Sequence, residues 1–182
     1  RTPKIKITFI VGKNQENLGL SLNQLADNAS LEFSAVDAAP HDLLNIQYTS
    51  GTTGFPKGCM LGHDYWLTCA MAASKSIEIK TDDVFLSASA FYYMDPQWQV
   101  IMCLATGCTM VLCRNFVPAD FMRLAHQYRA TLTHITVASL LLKQPESQYD
   151  NNHNLRYAFF GYISPDLHKN LEERFNIRAC PA

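Results

Sequence analysis

The pattern of hydrophobic and polar residues changes several times along the chain between one typical of β-strands and one typical of α-helices. Residues 4–11 place Ile5, Ile7, Phe9 and Val11 on one side, which is the period of two of a half-buried β-strand. Further on, apolar runs of strand length alternate with helix-length segments. The pattern predicts helices at 21–27, from 63 or 64, and at 96–105, 118–129, 139–143 and 165–175, and strands at 43–48, 83–88, 108–113, 131–137, 156–160 and 177–180.

Helices that separate successive strands are typical of parallel βαβ units. We therefore predict an α/β fold with a mostly parallel sheet and helices on both of its faces. The helix that begins at His63 or Asp64 is expected to take Asp64 as its N-cap, since a short carboxylate can accept from the free backbone N–H groups of the first turn.

A glycine-rich run follows the strand predicted at 43–48. Residues 48–58 read Tyr-Thr-Ser-Gly-Thr-Thr-Gly-Phe-Pro-Lys-Gly. The glycines permit the positive φ angles and close backbone approach of an anion-binding turn, and the short hydroxyl side chains add donors. Lys57 adds a mobile positive charge suited to an oxygen that moves during phosphoryl or nucleotidyl transfer. The run predicts a phosphate-binding loop, and it is not a Walker loop because Gly-Lys-Ser/Thr is missing at the required spacing.

Composition narrows the class of ligand. The chain has 182 residues, 48% of them hydrophobic and 17% charged, with a formal net charge of −1. This balance excludes a charge-rich disordered tail and disfavours a nucleic-acid binder, so the expected ligands are small molecules. No apolar run approaches the length of about 18 residues that a membrane span needs, and the first residues show no signal-peptide core. We therefore predict a cytoplasmic protein without a membrane span.

Cysteine and histidine spacing predicts no metal site. The six cysteines form no Cys-x-x-Cys pair and most lie in apolar stretches, so they are interpreted as reduced thiols. The six histidines show no metal-ligand spacing. His134 lies in an alternating apolar segment and is interpreted as a hydrogen-bonded sheet residue rather than as a ligand.

The run at 48–58 resembles, residue for residue, the glycine- and threonine-rich signature of the adenylate-forming (AMP-binding) enzymes, a family that includes the acyl- and aryl-CoA synthetases. The resemblance implies that the loop binds the phosphates of ATP and that Lys57 and Thr52 have catalytic roles. The nucleotide-binding residues that it implies within the loop are Thr49, Ser50, Gly51, Thr52, Thr53, Gly54 and Lys57.

Two further segments are similar to family motifs. Residues 90–95 correspond to a segment that borders the acyl or aryl pocket; Tyr92 and Tyr93 stand where the family often has histidine, and they could equally serve aromatic core packing. Residues 159–165 correspond to a turn that lies against adenine. Only Gly161 matches that turn clearly, and Tyr162 could stack on the base or simply cap the sheet.

The resemblance implies a two-step reaction in a longer parent enzyme. ATP activates a small carboxylic acid to an acyl-adenylate, and the acyl group passes to a thiol, with coenzyme A as acceptor and Mg²⁺ as the metal that accompanies ATP. Within the family, the chain looks most like small-acid ligases of the crotonobetaine/carnitine–CoA type. Residues 1–182 would form the central portion of the large N-terminal domain, an incomplete core without the C-terminal domain, and would complete no catalytic cycle alone.

Two other functions remain open at the level of sequence. The chain could be a stand-alone or degenerate nucleotide-binding module without catalysis, in which case it would bind ATP weakly and support no pyrophosphate exchange. It could also be a structural or interaction fragment, with a loop whose protease sensitivity does not change with Mg-ATP. The identity of the acid and the oligomeric state are not predicted.

Overall fold

The computed structural model describes residues 8–12, 19–51, 54–161 and 164–181, and it divides into a unit of residues 1–38 and a unit of residues 39–182. In the first unit, β1 (Phe9–Ile10) pairs in parallel with β2 (Leu20–Ser21), and α1 (Leu22–Asp27) follows. Ser21 caps α1, because its hydroxyl accepts from the backbone N–H of Gln24 at 3.4 Å. The predicted helix at 21–27 is confirmed, whereas most of the strand predicted at 4–11 lies outside the described residues.

The second unit opens with a β-hairpin. β3 (Leu43–Thr49) and β4 (Lys57–Gly62) pair antiparallel, and α2 (His63–Ser76) follows without a gap. The sequence pattern predicted β3 and the start of α2 but no strand between the loop and the helix. β4 was missed because its glycines and exposed position give little strand signal on their own.

The N-cap predicted for α2 is wrong. Gly62 occupies the cap position, and Asp64 lies inside the first turn. The backbone N–H of His63 donates to the Asp42 carbonyl at 3.2 Å, and that of Asp64 donates to the Pro40 carbonyl at 2.8 Å. Carbonyls of the segment before β3 thus satisfy two of the free donors, and the Asp64 carboxylate accepts from the next one, the Tyr65 N–H, at 2.9 Å.

The remaining chain forms a five-stranded sheet in which all pairs are parallel, in the order β6-β5-β7-β8-β9. Its elements are β5 (Val84–Ser87), α3 (Met94–Thr106), β6 (Thr109–Leu112), α4 (Pro118–Gln127), β7 (Leu132–Ile135), α5 (Ser139–Leu142), β8 (Tyr157–Phe160), α6 (Pro165–Phe175) and β9 (Arg178–Pro181). The predicted parallel α/β sheet is confirmed. Because β6 and β7 flank β5 on opposite sides, the strand order reverses beside β5, and the crevice at such a switch point is where open α/β sheets bind ligands.

Helices cover both faces of the sheet, as predicted. Neighbouring residues of one strand point to opposite faces, so Phe85 packs in one core cluster and Leu86 in the other. The Phe85 cluster contains Trp66 of α2 and Trp98 of α3. Residues from α4, α5 and α6 build the Leu86 cluster, among them Phe121, Leu141, Leu171 and Phe175. The two layers hold the strand ends, and hence the crevice, in place.

Candidate functional site

The glycine-rich loop is the turn of the hairpin. Thr49 and Lys57 form the last pair of the β3–β4 ladder, and residues 50–56 connect them. Gly51 has φ +62° and Gly54 has φ +147°, a region that side chains rarely adopt. A Cβ atom at Gly51 would also lie 2.6 Å from the Phe55 carbonyl oxygen, so only glycine fits this turn.

Lys57 places an unpaired positive charge beside this loop, as far as the described residues show. Its side chain is exposed at the start of β4, and within the described ranges it forms no ion pair. Thr49 and Ser50 are also exposed on the same turn. The predicted loop residues Thr52 and Thr53 lie outside the described residues. The described part of the loop therefore combines a fixed backbone turn with a free ammonium group, which suits a phosphate ligand.

A chain of amide hydrogen bonds joins the hairpin to the start of α3. Asn45 donates from Nδ2 to Gln97 Oε1 at 2.9 Å, and Asn45 Oδ1 accepts from the Trp66 indole at 3.2 Å. Gln47 donates from Nε2 to the Tyr92 carbonyl at 2.9 Å. Gln97 Nε2 in turn donates to Gln47 Oε1 at 3.3 Å and to the carbonyls of residues 91 and 93 at 3.1 and 3.0 Å. This network fixes the aromatic segment 90–95 relative to the strand that enters the phosphate loop.

Sequence reasoning missed the amide network, although one signal was available. Asn45 and Gln47 lie two residues apart on β3 and so share a face, where a half-buried strand would otherwise carry apolar residues. Gln97 likewise lies half-buried in the first turn of α3, between the buried residues Pro96 and Trp98. Polar amides at such positions indicate a partner, but only the fold identifies which one.

Replacing Gln97 with methionine is expected to lower the free energy of unfolding by about 1–3 kcal/mol, because the Asn45 and Gln47 amides would lose their partner while methionine keeps the volume. Urea denaturation measures the change. Gln127→Met is the matched control, since the Gln127 side chain accepts from a single described donor, the exposed Arg123 guanidinium on α4. This variant should cost less than about 0.5 kcal/mol. Equal losses in the two variants would show that the network does not hold the segment.

A cavity of about 330 Å³ opens at the carboxyl ends of β5, β6 and β7. Residues 88–90 line it after β5, residues 114–116 after β6 and residues 134–137 at the end of β7, while Tyr93 and Asp95 border it from the start of α3. The cavity thus occupies the switch point of the sheet, where the strand order predicts a ligand site.

Of the two tyrosines in segment 90–95, Tyr93 lines the cavity and Tyr92 does not. Tyr93 is also the N-cap residue of α3. Tyr92 is 70% exposed, and its ring centroid lies 4.4 Å from that of Tyr93. A hydrogen bond with Tyr93 raises the pKa of the Tyr92 hydroxyl, so Tyr92 remains neutral near pH 7.

His134 lies in β7 as predicted, but the interpretation that its ring is hydrogen-bonded is wrong. The side chain is 3% exposed and lines the cavity. Its Nε2 lies 3.8 Å from Asp95 Oδ1, and its Nδ1 has no hydrogen-bond partner among the described residues. Burial lowers the pKa of His134 and the Asp95 charge opposes that shift only in part, so the ring is neutral at pH 7. The sequence pattern did not predict that His134 lines a cavity, because that depends on the order of the strands in the sheet and not on neighbouring residues.

Gly161 stands at the same edge of the sheet as the cavity. It directly follows β8, and a Cβ atom there would lie 3.4 Å from the carbonyl oxygen of Thr136, which lines the cavity. Ser164 then caps α6, because its hydroxyl accepts from the Leu167 N–H at 3.3 Å. Tyr162, the other residue predicted to contact adenine, lies outside the described residues.

The described ranges contain no group of three or more His, Cys, Asp or Glu residues able to hold a metal ion. All six cysteines are unpaired; Cys103 and Cys108 are buried, whereas Cys59 is exposed. None of the helices in the described ranges is both long enough and apolar enough to cross a membrane.

The fold and the site together define an open α/β protein that presents a phosphate-type loop on a hairpin and a ligand cavity at the switch point of its sheet. The family model of the AMP-binding enzyme matches residues 2–181. The chain therefore belongs to the AMP-binding enzyme family, and the resemblance found in the glycine loop is confirmed.

Similar proteins support this assignment. Crotonobetaine/carnitine–CoA ligase of Escherichia coli O139:H28 is 30% identical over 141 residues, covering 75% of this chain and 27% of the ligase. 4-Coumarate–CoA ligase 1 of Narcissus pseudonarcissus is 27% identical over 139 residues, covering 72% of this chain and 25% of that ligase. ATP-bound MatB from Rhodopseudomonas palustris matches with a TM-score of 0.75 at 25% identity, covering 88% of this chain and 33% of that chain. The chain thus spans about a quarter of the length of these curated relatives.

Proposed function

We propose that this chain is the central portion of the large ATP-binding domain of an AMP-forming acid–CoA ligase. In the parent enzyme, a carboxylate oxygen attacks the α-phosphorus of ATP, the bond to the β-phosphate oxygen breaks, and pyrophosphate leaves. The thiol of coenzyme A then attacks the acyl carbon and AMP leaves. The relatives named as CoA ligases and the ATP-bound MatB structure support these substrates.

One observation carries the proposal: the amide network ties the phosphate-type loop to the edge of the cavity. The strand that enters the loop carries Asn45 and Gln47, which hydrogen-bond Gln97 and the backbone of segment 90–95. That segment presents Tyr93 to the cavity. A nucleotide held by the loop and an acid held in the cavity would thus be held by one connected structure, which a transfer between the two requires.

Each residue predicted from the sequence has a role in this proposal. The loop backbone and hydroxyls would bind the β- and γ-phosphates, where negative charge concentrates as pyrophosphate leaves. Lys57 would stabilise the oxygen of the leaving group, and Thr52 would donate to the same phosphates. The residues proposed for nucleotide binding are Thr49, Ser50, Gly51, Thr52, Thr53, Gly54, Lys57, Gly161 and Tyr162. Tyr93, with Tyr92 beside it, would border the acid.

We further propose that residues 1–182 are an internal part of that domain. Apolar side chains of the hairpin are strongly exposed, with Tyr48 at 68% and Met60 at 72%. Apolar surface of this kind favours coverage by further chain. The chain also spans only 27% of the E. coli ligase and 25% of the Narcissus ligase. The 182 residues alone are therefore expected to form no acyl-CoA, and acyl-CoA formation by this chain alone would overturn this part of the proposal.

Acid-dependent exchange of labelled pyrophosphate into ATP, measured with Mg-ATP and a panel of small carboxylic acids on the full-length protein, tests the proposed function. Exchange that requires an acid supports adenylation, and formation of the thioester after addition of coenzyme A supports the second step. ATP binding without exchange, for any acid, would contradict the proposal and favour a nucleotide-binding module without catalysis.

A further inference from the structure

A buried histidine with one ring nitrogen unpartnered among the described residues lines the cavity at the switch point. His134 is 3% exposed, and its ring meets the Trp98 ring edge to face, with centroids 6.3 Å apart. No described residue hydrogen-bonds its Nδ1. Buried polar atoms in folded proteins nearly always have a partner, and each exception calls for an unseen one. The cavity that His134 lines offers the space in which such a partner would lie.

The surroundings of the ring decide which hydrogen-bonding role the free nitrogen can take. Burial lowers the pKa of His134, so the ring carries one proton at neutral pH. The Asp95 carboxylate, 3.8 Å from Nε2, favours the tautomer with the proton on Nε2. Nδ1 then carries a lone pair and can only accept a hydrogen bond.

Asp95 adds a second acceptor to the same cavity. Its carboxylate is 28% exposed, borders the cavity from the first turn of α3, and has no hydrogen bond with a described residue. The remaining lining combines the apolar Ala88, Ala90, Ile135 and Val137 with polar residues that include Arg114 and Asn115. A cavity with an apolar wall and two adjacent acceptors suits a hydrocarbon skeleton that carries one donor group.

We propose that this cavity selects carboxylic acids whose apolar acyl group bears a hydrogen-bond donor, a hydroxyl or an ammonium group, and that His134 Nδ1 accepts the hydrogen bond from that donor. The proposal rests on the proposed function, because it takes the cavity as the acid site. His134 would then determine substrate specificity. An acid without the donor would remove water from Nδ1 without replacing its hydrogen bond, and this would weaken binding of that acid.

Sets of acids that differ in one terminal group distinguish the effect of the hydrogen bond on binding from the effects of size and charge. Each set contains an apolar acid with a terminal hydroxyl, the same acid with an ammonium group, and the same acid with a methyl group in that position. Affinities for the chain and for the full-length protein are measured by calorimetry, and pyrophosphate exchange is measured on the full-length protein. We expect a preference of at least about tenfold for a donor-bearing acid over its methyl analogue. A preference shared by both donor acids assigns the effect to hydrogen bonding, and one confined to the ammonium acid assigns the binding to the Asp95 charge and overturns the role of Nδ1.

Three variants test the nitrogen itself. His134→Asn keeps an acceptor near the position of Nδ1 and should keep the preference, whereas His134→Gln keeps a polar group only near Nε2 and should lose it. His153→Asn is the control, because both nitrogens of His153 already have partners in the backbone of residues 150, 155 and 175. It should change stability but not the preference. Should a His134 variant fail to fold, ¹⁵N-histidine NMR of the wild-type protein gives the same answer, since the Nδ1 resonance of His134 should move with the hydroxy acid and not with the methyl analogue.

The outcomes distinguish this inference from the proposed function. Exchange that is equally fast with hydroxy and methyl acids would overturn the inference and leave the ligase function standing. Donor-dependent binding that needs His134, without exchange for any acid, would support the inference about the cavity and contradict the ligase function. Failure of every donor-bearing acid to bind would overturn the inference.

Discussion

Replacing Lys57 with alanine in the full-length protein is expected to slow acid-dependent pyrophosphate exchange by about 10²–10³-fold, the usual effect of removing one donor to a developing charge. Lys57 lies at the start of β4, beside a loop in which Gly51 and Gly54 have positive φ angles. Its charge is not committed to an ion pair with any described residue. The departing pyrophosphate would therefore lose the mobile cation that Lys57 supplies.

The fold should survive this change, because Lys57 is exposed and substitutions at such sites usually alter stability by less than about 0.5 kcal/mol. Lys57→Arg keeps the positive charge but replaces the compact ammonium group with a larger, planar guanidinium group. It should therefore retain only part of the wild-type exchange rate. Lys169→Ala removes a lysine that is 72% exposed on α6 and forms an ion pair with Glu173, and exchange should remain at the wild-type rate. An exchange rate that Lys57→Ala leaves unchanged would remove Lys57 from the proposed mechanism.

Most of the helices and strands could be predicted from the sequence because each of them has a local signal of its own. Pro165 at the first position of α6, together with the apolar period up to Phe175, gave the bounds of that helix. β4 had no such signal, and it forms because β3 supplies a pairing partner. The cap of α2 was mispredicted for the same reason: carbonyls from the distant positions 40 and 42 satisfy the helix N-terminus, and no local pattern reveals them.

The candidate site likewise contains one part that could be predicted from the sequence and one part that could not. The glycine loop could be found from the sequence because its residues follow one another along the chain, and the described ones, Thr49, Ser50, Gly51, Gly54 and Lys57, lie at the same end of the β3–β4 hairpin. His134 and Asp95 come together only through the order of the strands, which is a tertiary property. The roles assigned to Thr52, Thr53 and Tyr162 stay predictions, since these residues lie outside the described ranges.

Among the substitutions considered, replacing a buried carboxylate at the other end of the sheet is expected to lower stability most. Asp83 precedes β5, and its Oδ2 accepts from Arg156 Nη2 at 2.6 Å and from the Lys80 N–H at 2.8 Å. Its Oδ1 accepts from the Thr131 hydroxyl at 2.7 Å and from Arg156 Nε at 3.2 Å. Arg156 also donates to the carbonyls of Ile77 and of residue 78. One carboxylate thus joins the segments that lead into β5, β7 and β8 to the end of α2.

Asp83→Ala is expected to lower the free energy of unfolding by about 3 kcal/mol at pH 7, because it leaves the Arg156 guanidinium without its counter-charge. The value lies at the low end for a broken buried pair, since Arg156 is 32% exposed and water can replace part of the lost interaction. Asp82→Ala is the control; Asp82 is adjacent and exposed, and its loss should cost less than about 0.5 kcal/mol. Urea denaturation of both variants measures the difference, and similar losses would contradict a special role for Asp83.

The same ion pair sets a pH dependence whose sign follows from the pKa of Asp83. Burial alone would raise that pKa, but the hydrogen bonds from Arg156, Thr131 and the Lys80 N–H together lower it below its ordinary value of 3.8. A carboxyl with a depressed folded-state pKa contributes stability that is fully present above the unfolded-state pKa and is lost as the pH falls through the folded-state pKa. The stability gap between wild type and Asp83→Ala should therefore be constant from neutral pH down to about pH 5 and should narrow below pH 4. A gap that stays the same at pH 3 would show that the carboxylate charge does not stabilise the fold, and that the variant loses only packing and neutral hydrogen bonds.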